Sequence, residues 1–271
     1  PKLEVWLKEF RPDRFLVLGD TNSSIGALIA ARLGIPVYHL EAGNRSHGLQ
    51  SPEEVNRRVI DHTATVSMCY SERARMNLVG EGIPLARTFV VGNPLAEILL
   101  SCRPEPGGLH EHSMRQLADD EAWKRSGVGS YHPRWLATLH RQENVDDHMR
   151  LWAFLDAIQC ACSGADARCL MSTHPRTRAR MKGQEATWDR IYFSRPLPFP
   201  DFVCLEASAD LVLSDSGTAP EECAILGRPL VVLRDYMERQ EVWERGGCVL
   251  WAPGSPTPFR IAVEAAVAYP P

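Results

Sequence analysis

The sequence predicts an α/β protein built from two Rossmann-like domains, each a parallel sheet with helices packed on it. Three observations carry this. Short apolar runs alternate with amphipathic stretches along most of the chain. The runs are nearly continuous in Val, Leu and Ile, as at 15–18 and 211–213, which is the pattern of strands covered on both faces. The alternation breaks once, over a polar stretch at 102–131, and then restarts.

Taken in order, residues 3–10 place Leu3, Val5, Trp6, Leu7 and Phe10 at helical spacing, and we expect a buried helix face there. A chain opening on Pro1 inside such a pattern is expected to have residues upstream. Residues 14–19 read as a strand and 22–33 as a helix stopped by Gly34. Strands follow at 35–40, 65–70 and 88–92, with helices at 53–62, from the cap Ser71 to Gly80, and near 94–101. The stretch 102–131, rich in Pro, Gly and charge, reads as a linker with one short helix. The first domain with its linker is therefore set at 1–125 and the second domain at 126–271. In the second, strands are expected at 135–139, 167–173, 190–194, 211–214 and 229–233. Helices are expected at 146–162, near 176–184 and at 219–226, the last stopped by Gly227.

Composition narrows the function classes. The 271 residues are 44% hydrophobic and 24% charged, with 30 basic against 34 acidic residues and a net charge of -4. That excludes a disordered chain, a collagen-like fibre and a small disulfide scaffold. It gives no global footprint for nucleic acid or an anionic membrane. The eight cysteines form no CxxC pair, and Cys160-x-Cys162 is poor zinc spacing, so reduced buried thiols in a cytoplasmic protein are expected. No apolar run approaches the roughly 18 residues of a membrane helix.

In open parallel sheets, ligands bind beyond the carboxyl ends of the strands. The chemically interesting residues fall there: Asp20, Glu41, His140 and Arg141, His174, the turn 214–217, and Arg234. The segment 215–222 joins a strand to a helix through small residues, and Pro220 suits the first helical turn. Free N–H groups at such a start cradle phosphate, and Glu221 and Glu222 one turn in suit ribose hydroxyls. A capped helix with Thr218 and Glu221 explains the same residues. Arg234 suits a diphosphate or a surface ion pair, and Arg141 suits the same basic region. The acids Asp20, Glu41, Glu53 and Glu54 come from the first half and His140 from the second, and acids with a histidine can abstract and return protons. A hydrolase, lyase or isomerase fits equally. His39 and His62 receive no role, and no metal spacing is present.

Several strings together resemble the non-hydrolysing UDP-N-acetylglucosamine 2-epimerase family: LGDTNS (18–23), LEAGNR (40–45), PEEVNRRVIDH (52–62), GNPLAEIL (92–99), LHRQENV (139–145), STHPRTR (172–178), LSDSGTAPEE (213–222) and RDYMERQE (234–241). EAGNR, THPRTR and SDSGT are most similar to the branch that makes UDP-N-acetyl-L-fucosamine from UDP-2-acetamido-2,6-dideoxy-L-talose, the main alternative within the family being the interconversion of UDP-N-acetylglucosamine and UDP-N-acetylmannosamine. The resemblance implies a glycosyltransferase-B-like fold, with two Rossmann-like domains around a central cleft, the first incomplete here. It implies no NAD, no other cofactor and no metal, a UDP-sugar as partner, a homodimer, and a place in cell-surface polysaccharide precursor synthesis. It also implies anti elimination of UDP to a 2-acetamidoglucal, followed by re-addition with C2 inverted. On the matching positions, Asp20, Glu41 and Glu53 would be the acid/base carboxylates and His140 would meet the departing diphosphate. Arg57 would order the carboxylates. Ser216, Gly217 and Glu222 would hold phosphate and ribose, with Arg234 and Glu238 in the same pocket. The chain departs from the family in Gln240 where the family has Pro, and in the stretch 46–51; we expect it to lack the family's GTRPE-like opening and its final helix. A non-catalytic UDP-sugar-binding protein and a glycosyltransferase of the same architecture are the competing readings.

Overall fold

The computed structural model describes residues 2–46, 51–102 and 134–271. The chain clusters into two units. The first is Pro1–Pro94 with Glu238–Glu241, and the second is Leu95–Met237 with Val242–Pro271. The expected linker, apart from Cys102, and the boundary at 125/126 lie outside the described residues.

The first unit runs α1 (Lys2–Phe10), β1 (Phe15–Leu18), α2 (Gly26–Arg32), β2 (Val37–Leu40), α3 (Pro52–Thr63), β3 (Val66–Cys69), α4 (Glu72–Gly80) and β4 (Thr88–Val90). Its strands pair in parallel in the order β1-β2-β3-β4. Each short apolar run becomes a strand because the helix after it carries the chain back across the sheet. Ser71 caps α4 as expected, its hydroxyl accepting from the Ala74 N–H at 3.2 Å. Val17, Val37, Ala27, Ala30 and Ile60 form the core with Leu7.

Two expectations fail in this unit. Of the apolar face read on α1, only Leu7 is buried; Val5, Trp6 and Phe10 are 56%, 50% and 63% exposed, with the Trp6 and Phe10 rings stacked at 4.6 Å. The sheet is also not covered on both faces, since Leu16 and Leu18 of β1 are 64% and 59% exposed. Helical spacing and apolar runs say which residues share a face, not what covers it.

The second unit runs α5 (Leu95–Ser101), β5 (Arg134–Thr138), α6 (Gln142–Val145), α7 (His148–Gly164), β6 (Arg168–Ser172), α8 (Pro175–Met181), β7 (Ile191–Ser194), α9 (Phe199–Ser208), β8 (Leu211–Ser214), α10 (Ala219–Leu226), β9 (Leu230–Val232), α11 (Gln240–Glu244, whose first two residues belong to the first unit), β10 (Val249–Leu250) and α12 (Phe259–Ala268). The parallel sheet has the order β10-β9-β8-β5-β6-β7. Strand direction of growth reverses between β5 and β8, the crevice where doubly wound sheets bind ligands. Here both faces are covered. Trp135, Ala137, Leu211 and Leu213 face one core with Phe154 and Leu155, while Leu136, Val212 and Leu230 face another with Cys223. Burying a side chain such as Phe154 contributes about 1.5–3 kcal/mol.

The helices α6, α9, α11 and α12 and the strand β10 were not expected. Prolines hid the longer two: Pro200 sits in the first turn of α9 and Pro258 precedes α12, positions where a missing N–H costs nothing. Among the described residues, no helix is long and apolar enough to cross a membrane.

Candidate active site

Strand β1 ends at Leu18, and Gly19 turns with φ +69°, so Asp20 lies beyond the strand end. Strand β2 ends beside it; the Gly19 N–H donates to the Leu40 carbonyl at 3.1 Å. Glu41 follows with φ +75°, a region a residue with a Cβ rarely adopts and which costs about 1–3 kcal/mol. Gly43 has φ +87°, and a Cβ there would meet the Ala74 carbonyl oxygen at 2.2 Å, so glycine is required. Parallel neighbours thus bring Asp20 and Glu41 together; a Cβ on Gly19 would lie 3.4 Å from Glu41 Oε2.

The acids are held by guanidinium groups. Arg57 on α3 donates to Asp20 Oδ2 from Nε at 3.0 Å and from Nη2 at 2.6 Å, and from Nη1 to Glu54 Oε2 at 3.1 Å. Glu238 Oε1 lies 3.9 Å from Arg57 Nη2. Glu41 accepts from Asn44 Nδ2 at 3.3 Å and from Arg239 Nη2 at 2.5 Å. Burial pushes the Asp20 carboxyl up; Arg57 pulls it down, while the charges of Glu41 and Glu238 add to the rise. The result is a carboxyl that holds its proton more readily than a free aspartate.

Of the residues singled out in the sequence, Asp20, Glu41, Arg57 and Glu238 share this cluster. Glu53 is half-buried and accepts from Ser51 Oγ at 2.5 Å. Its neighbour Glu54 is the fully buried one, accepting from the Ser46 N–H at 3.0 Å and from Arg57 and Arg58. Not foreseen were Arg239 beside the acids and a row of buried His39, Asp61 and Arg45 that ends on the half-buried Glu81. A signal existed: Glu54, Arg57, Arg58 and Asp61 follow helical spacing on α3.

In the second unit, the turns after β5 and β8 meet. Asp215 is fully buried, and its carboxylate accepts from the main-chain N–H of His140 at 3.0 Å and of Arg141 at 2.8 Å, and from Asn144 Nδ2 at 3.1 Å. His140 Nδ1 lies 3.1 Å from it. Burial pushes Asp215 up, but His140, the Arg141 N–H and Asn144 outweigh it and hold the carboxyl below its usual range. Arg141 Nε donates to the Asp215 carbonyl at 3.0 Å, and a Cβ on Gly217 would lie 3.0 Å from Arg141 Nη2. His174 caps α8, its Nδ1 accepting from the Arg176 N–H at 3.1 Å, and its ring centre is 6.1 Å from that of His140.

Ser216 Oγ lies 3.1 Å from Thr218 Oγ1, and α10 starts just beyond, without a side-chain cap from Thr218. The capping explanation of this motif is therefore not realised. Glu222 is buried in the first turn of α10, and Glu206 on α9 is fully buried with Oε1 accepting from Cys223 Sγ at 3.4 Å. Burial pushes both carboxyls up, Glu206 well above its usual range with the charge of Glu222 adding to it. Arg234 is buried with its guanidinium 4.7 Å from the Tyr236 ring centre. The arrangement offers main-chain N–H groups, His140 and arginines to an anion. Among the described residues, no group of three or more His, Cys, Asp or Glu is placed to hold a metal ion.

Comparison with known proteins adds an independent line. The family model described as UDP-N-acetylglucosamine 2-epimerase matches residues 1–267. The UDP-N-acetylglucosamine 2-epimerase of Methanocaldococcus jannaschii is 36% identical over 256 residues, covering 91% of this chain and 66% of that protein. The UDP-2,3-diacetamido-2,3-dideoxy-D-glucuronate 2-epimerase of Pseudomonas aeruginosa is 33% identical over 248 residues, covering 91% and 65%. The crystal structure of the Methanocaldococcus jannaschii UDP-GlcNAc 2-epimerase in complex with UDP-GlcNAc and UDP matches with a TM-score of 0.81 at 34% identity, covering 98% of this chain and 72% of that one. The enzyme from Rickettsia bellii gives 0.76 at 31%, covering 98% and 68%. These neighbours carry the glycosyltransferase-B-like α/β fold expected from the sequence. The chain spans just under two thirds of the length of the curated relatives it matches.

Proposed function

Because the chain belongs to the UDP-N-acetylglucosamine 2-epimerase family, we propose that it inverts C2 of a UDP-2-acetamido sugar by eliminating and re-adding UDP. The observation that carries this reading is the Asp20–Glu41 pair, with an Asp20 carboxyl raised by burial and by its acidic neighbours. Such a group holds a proton more readily than a free aspartate, which suits it to taking and returning one.

In the proposed step, a carboxylate removes the C2 proton. The C1–O bond breaks, its electron pair leaves on the UDP oxygen, and a C1=C2 double bond remains. UDP then adds back to C1 as a proton is delivered to the opposite face of C2. The sequence is redox-neutral. Asp20, Glu41 and Glu53 are the proposed proton carriers, and Arg57 orients Asp20. His140, Arg141 and the start of α10 stabilise the leaving diphosphate through preorganised positive potential. Ser216 and Gly217 hold phosphate, Glu222 the ribose, and His174, Arg234 and Glu238 complete the contacts with the substrate.

UDP-N-acetylglucosamine is the substrate to test first. In D2O it is expected to gain deuterium at C2 and to form UDP-N-acetylmannosamine. Binding of UDP with neither outcome would leave a nucleotide-sugar-binding protein, and transfer of the sugar to an acceptor would make it a glycosyltransferase. The eight cysteines, all free thiols, support a cytoplasmic setting. We propose a homodimer, which sedimentation equilibrium would test.

A further inference from the structure

We propose that His39 and Asp61 are positioning residues that together fix the two acid-bearing turns, Gly19–Asp20 and Glu41–Gly43, and thereby set the rate of proton transfer. The inference rests on the reading of Asp20 and Glu41 as proton carriers.

His39 lies within β2 with its side chain fully buried. Both ring nitrogens face acceptors: Nδ1 is 2.7 Å from Asp61 Oδ1, and Nε2 is 3.1 Å from the Gly19 carbonyl oxygen. The ring therefore bridges from a carboxylate on α3 to the peptide unit that joins Gly19 to Asp20. Asp61 is also fully buried, and its other oxygen, Oδ2, accepts from the Gly43 N–H at 3.2 Å. One carboxylate thus reaches both turns, directly at Gly43 and through the imidazole at Gly19.

Those turns need such a hold. Gly19, Glu41 and Gly43 all have φ between +69° and +87°. Backbone in that region persists where its surroundings over-determine it. The charge on Asp61 is balanced by Arg45, whose Nη1 donates to Oδ2 at 2.7 Å and whose Nε and Nη2 grip Glu81 at 2.7 and 2.6 Å. The row continues through Arg58, Glu54 and Arg57 back to Asp20. Asp20 is consequently fixed from two sides, its main chain through His39 and its carboxylate through Arg57. A pair that only stabilised the fold would have no reason to end on the two turns that carry the acids.

The test compares His39→Asn with His39→Gln in the full-length protein. Asparagine keeps an amide donor near the Nδ1 position, and glutamine keeps one near Nε2. Three readouts are needed: steady-state epimerisation of UDP-N-acetylglucosamine per folded molecule, UDP binding by calorimetry, and the 13C resonance of the Asp20 carboxyl. Loss of the Gly19 contact in His39→Asn is expected to lower kcat by about a hundredfold, the scale of a small misplacement of a reacting group. KM and the UDP Kd should stay near the parent values, the Asp20 resonance should shift, and His39→Gln should recover part of the rate. Parental kcat in both variants, or a loss that tracks only the folded fraction, overturns the proposal. If the parent binds UDP without exchanging C2, the functional reading fails separately. The brace is then judged on the carboxyl resonance alone: a shift in His39→Asn supports it and an unmoved line overturns it. Should His39→Asn not fold, His39→Gln, which loses the Asp61 bond, is read alone: a kcat below the parent's with an unchanged UDP Kd supports the proposal, and a parental kcat with an unmoved Asp20 resonance overturns it.

Discussion

In the first unit Asp20 is held by the guanidinium of Arg57, reached from a helix 37 residues further along, whereas in the second unit Asp215 is held by two main-chain N–H groups of the adjacent strand end together with the His140 and Asn144 side chains. The two aspartates respond in opposite directions. Burial dominates at Asp20 and the acids around it add to the rise; at Asp215 burial also pushes up, but His140, the Arg141 N–H and Asn144 overcome it. One environment keeps a proton within reach and the other keeps a fixed negative charge that orders a turn. A centre built from side-chain pairs can tune a pKa, and each pair it contains is a point of failure. A centre that shares its load between side chains and main-chain donors keeps part of its hold when one side chain is replaced.

The strongest attack on this comparison is at the proposed proton carrier. Asp20→Asn is expected to slow C2 exchange in D2O by about 10²–10⁴-fold, the usual worth of a general acid or base, while UDP binding persists. Exchange at the parental rate would remove Asp20 from the chemistry. Next, Arg57→Met strips a buried partner from Asp20 and Glu54 and should cost about 3–5 kcal/mol in urea unfolding. A loss under 1 kcal/mol would mean that the row behaves like surface ion pairs.

Smaller effects probe the second unit. Gly217→Val pushes the Arg141 guanidinium aside and should raise the UDP Kd by roughly five- to 150-fold, about 1–3 kcal/mol of binding, if that turn holds phosphate. Unchanged affinity in calorimetry would separate the turn from the nucleotide. The mildest effect is a slope. The Glu206 carboxyl is raised well above its ordinary value of 4.5 by burial and by Glu222, so the folded state binds its proton more tightly than the unfolded chain. Its contribution to stability is full below pH 4.5 and is lost as pH rises towards the folded-state value. Glu206→Gln should flatten that decline in urea midpoints measured across pH, and an unaltered slope would show that Glu206 ionises freely in the folded chain.

Much of the second centre was legible because it is contiguous. A strand, a small-residue turn and a helix start appear in order at 211–222, and local sequence fixes their geometry. The first centre was legible only in part. The acids at strand ends, Asp20 and Glu41, stood out, but the choice between Glu53 and Glu54 did not: two adjacent glutamates at a helix start look alike until the helix is docked, and then one is fully buried and the other takes its bond from Ser51. His39 looked like an ordinary histidine in a strand for the same reason. Its partners, Gly19 and Asp61, are 20 and 22 residues away.

By itself, then, the sequence determined the β/α rhythm, the parallel sheets, the polar residues at strand ends and the small-residue turn before α10, because each depends on spacing over a few residues. Tertiary structure alone decided which face of α1 is exposed, which glutamate of α3 is buried, and which arginine holds which acid. Those outcomes depend on what lies across a sheet or behind a helix. Desolvation and pairing of charge act over distances in space that sequence separation does not encode.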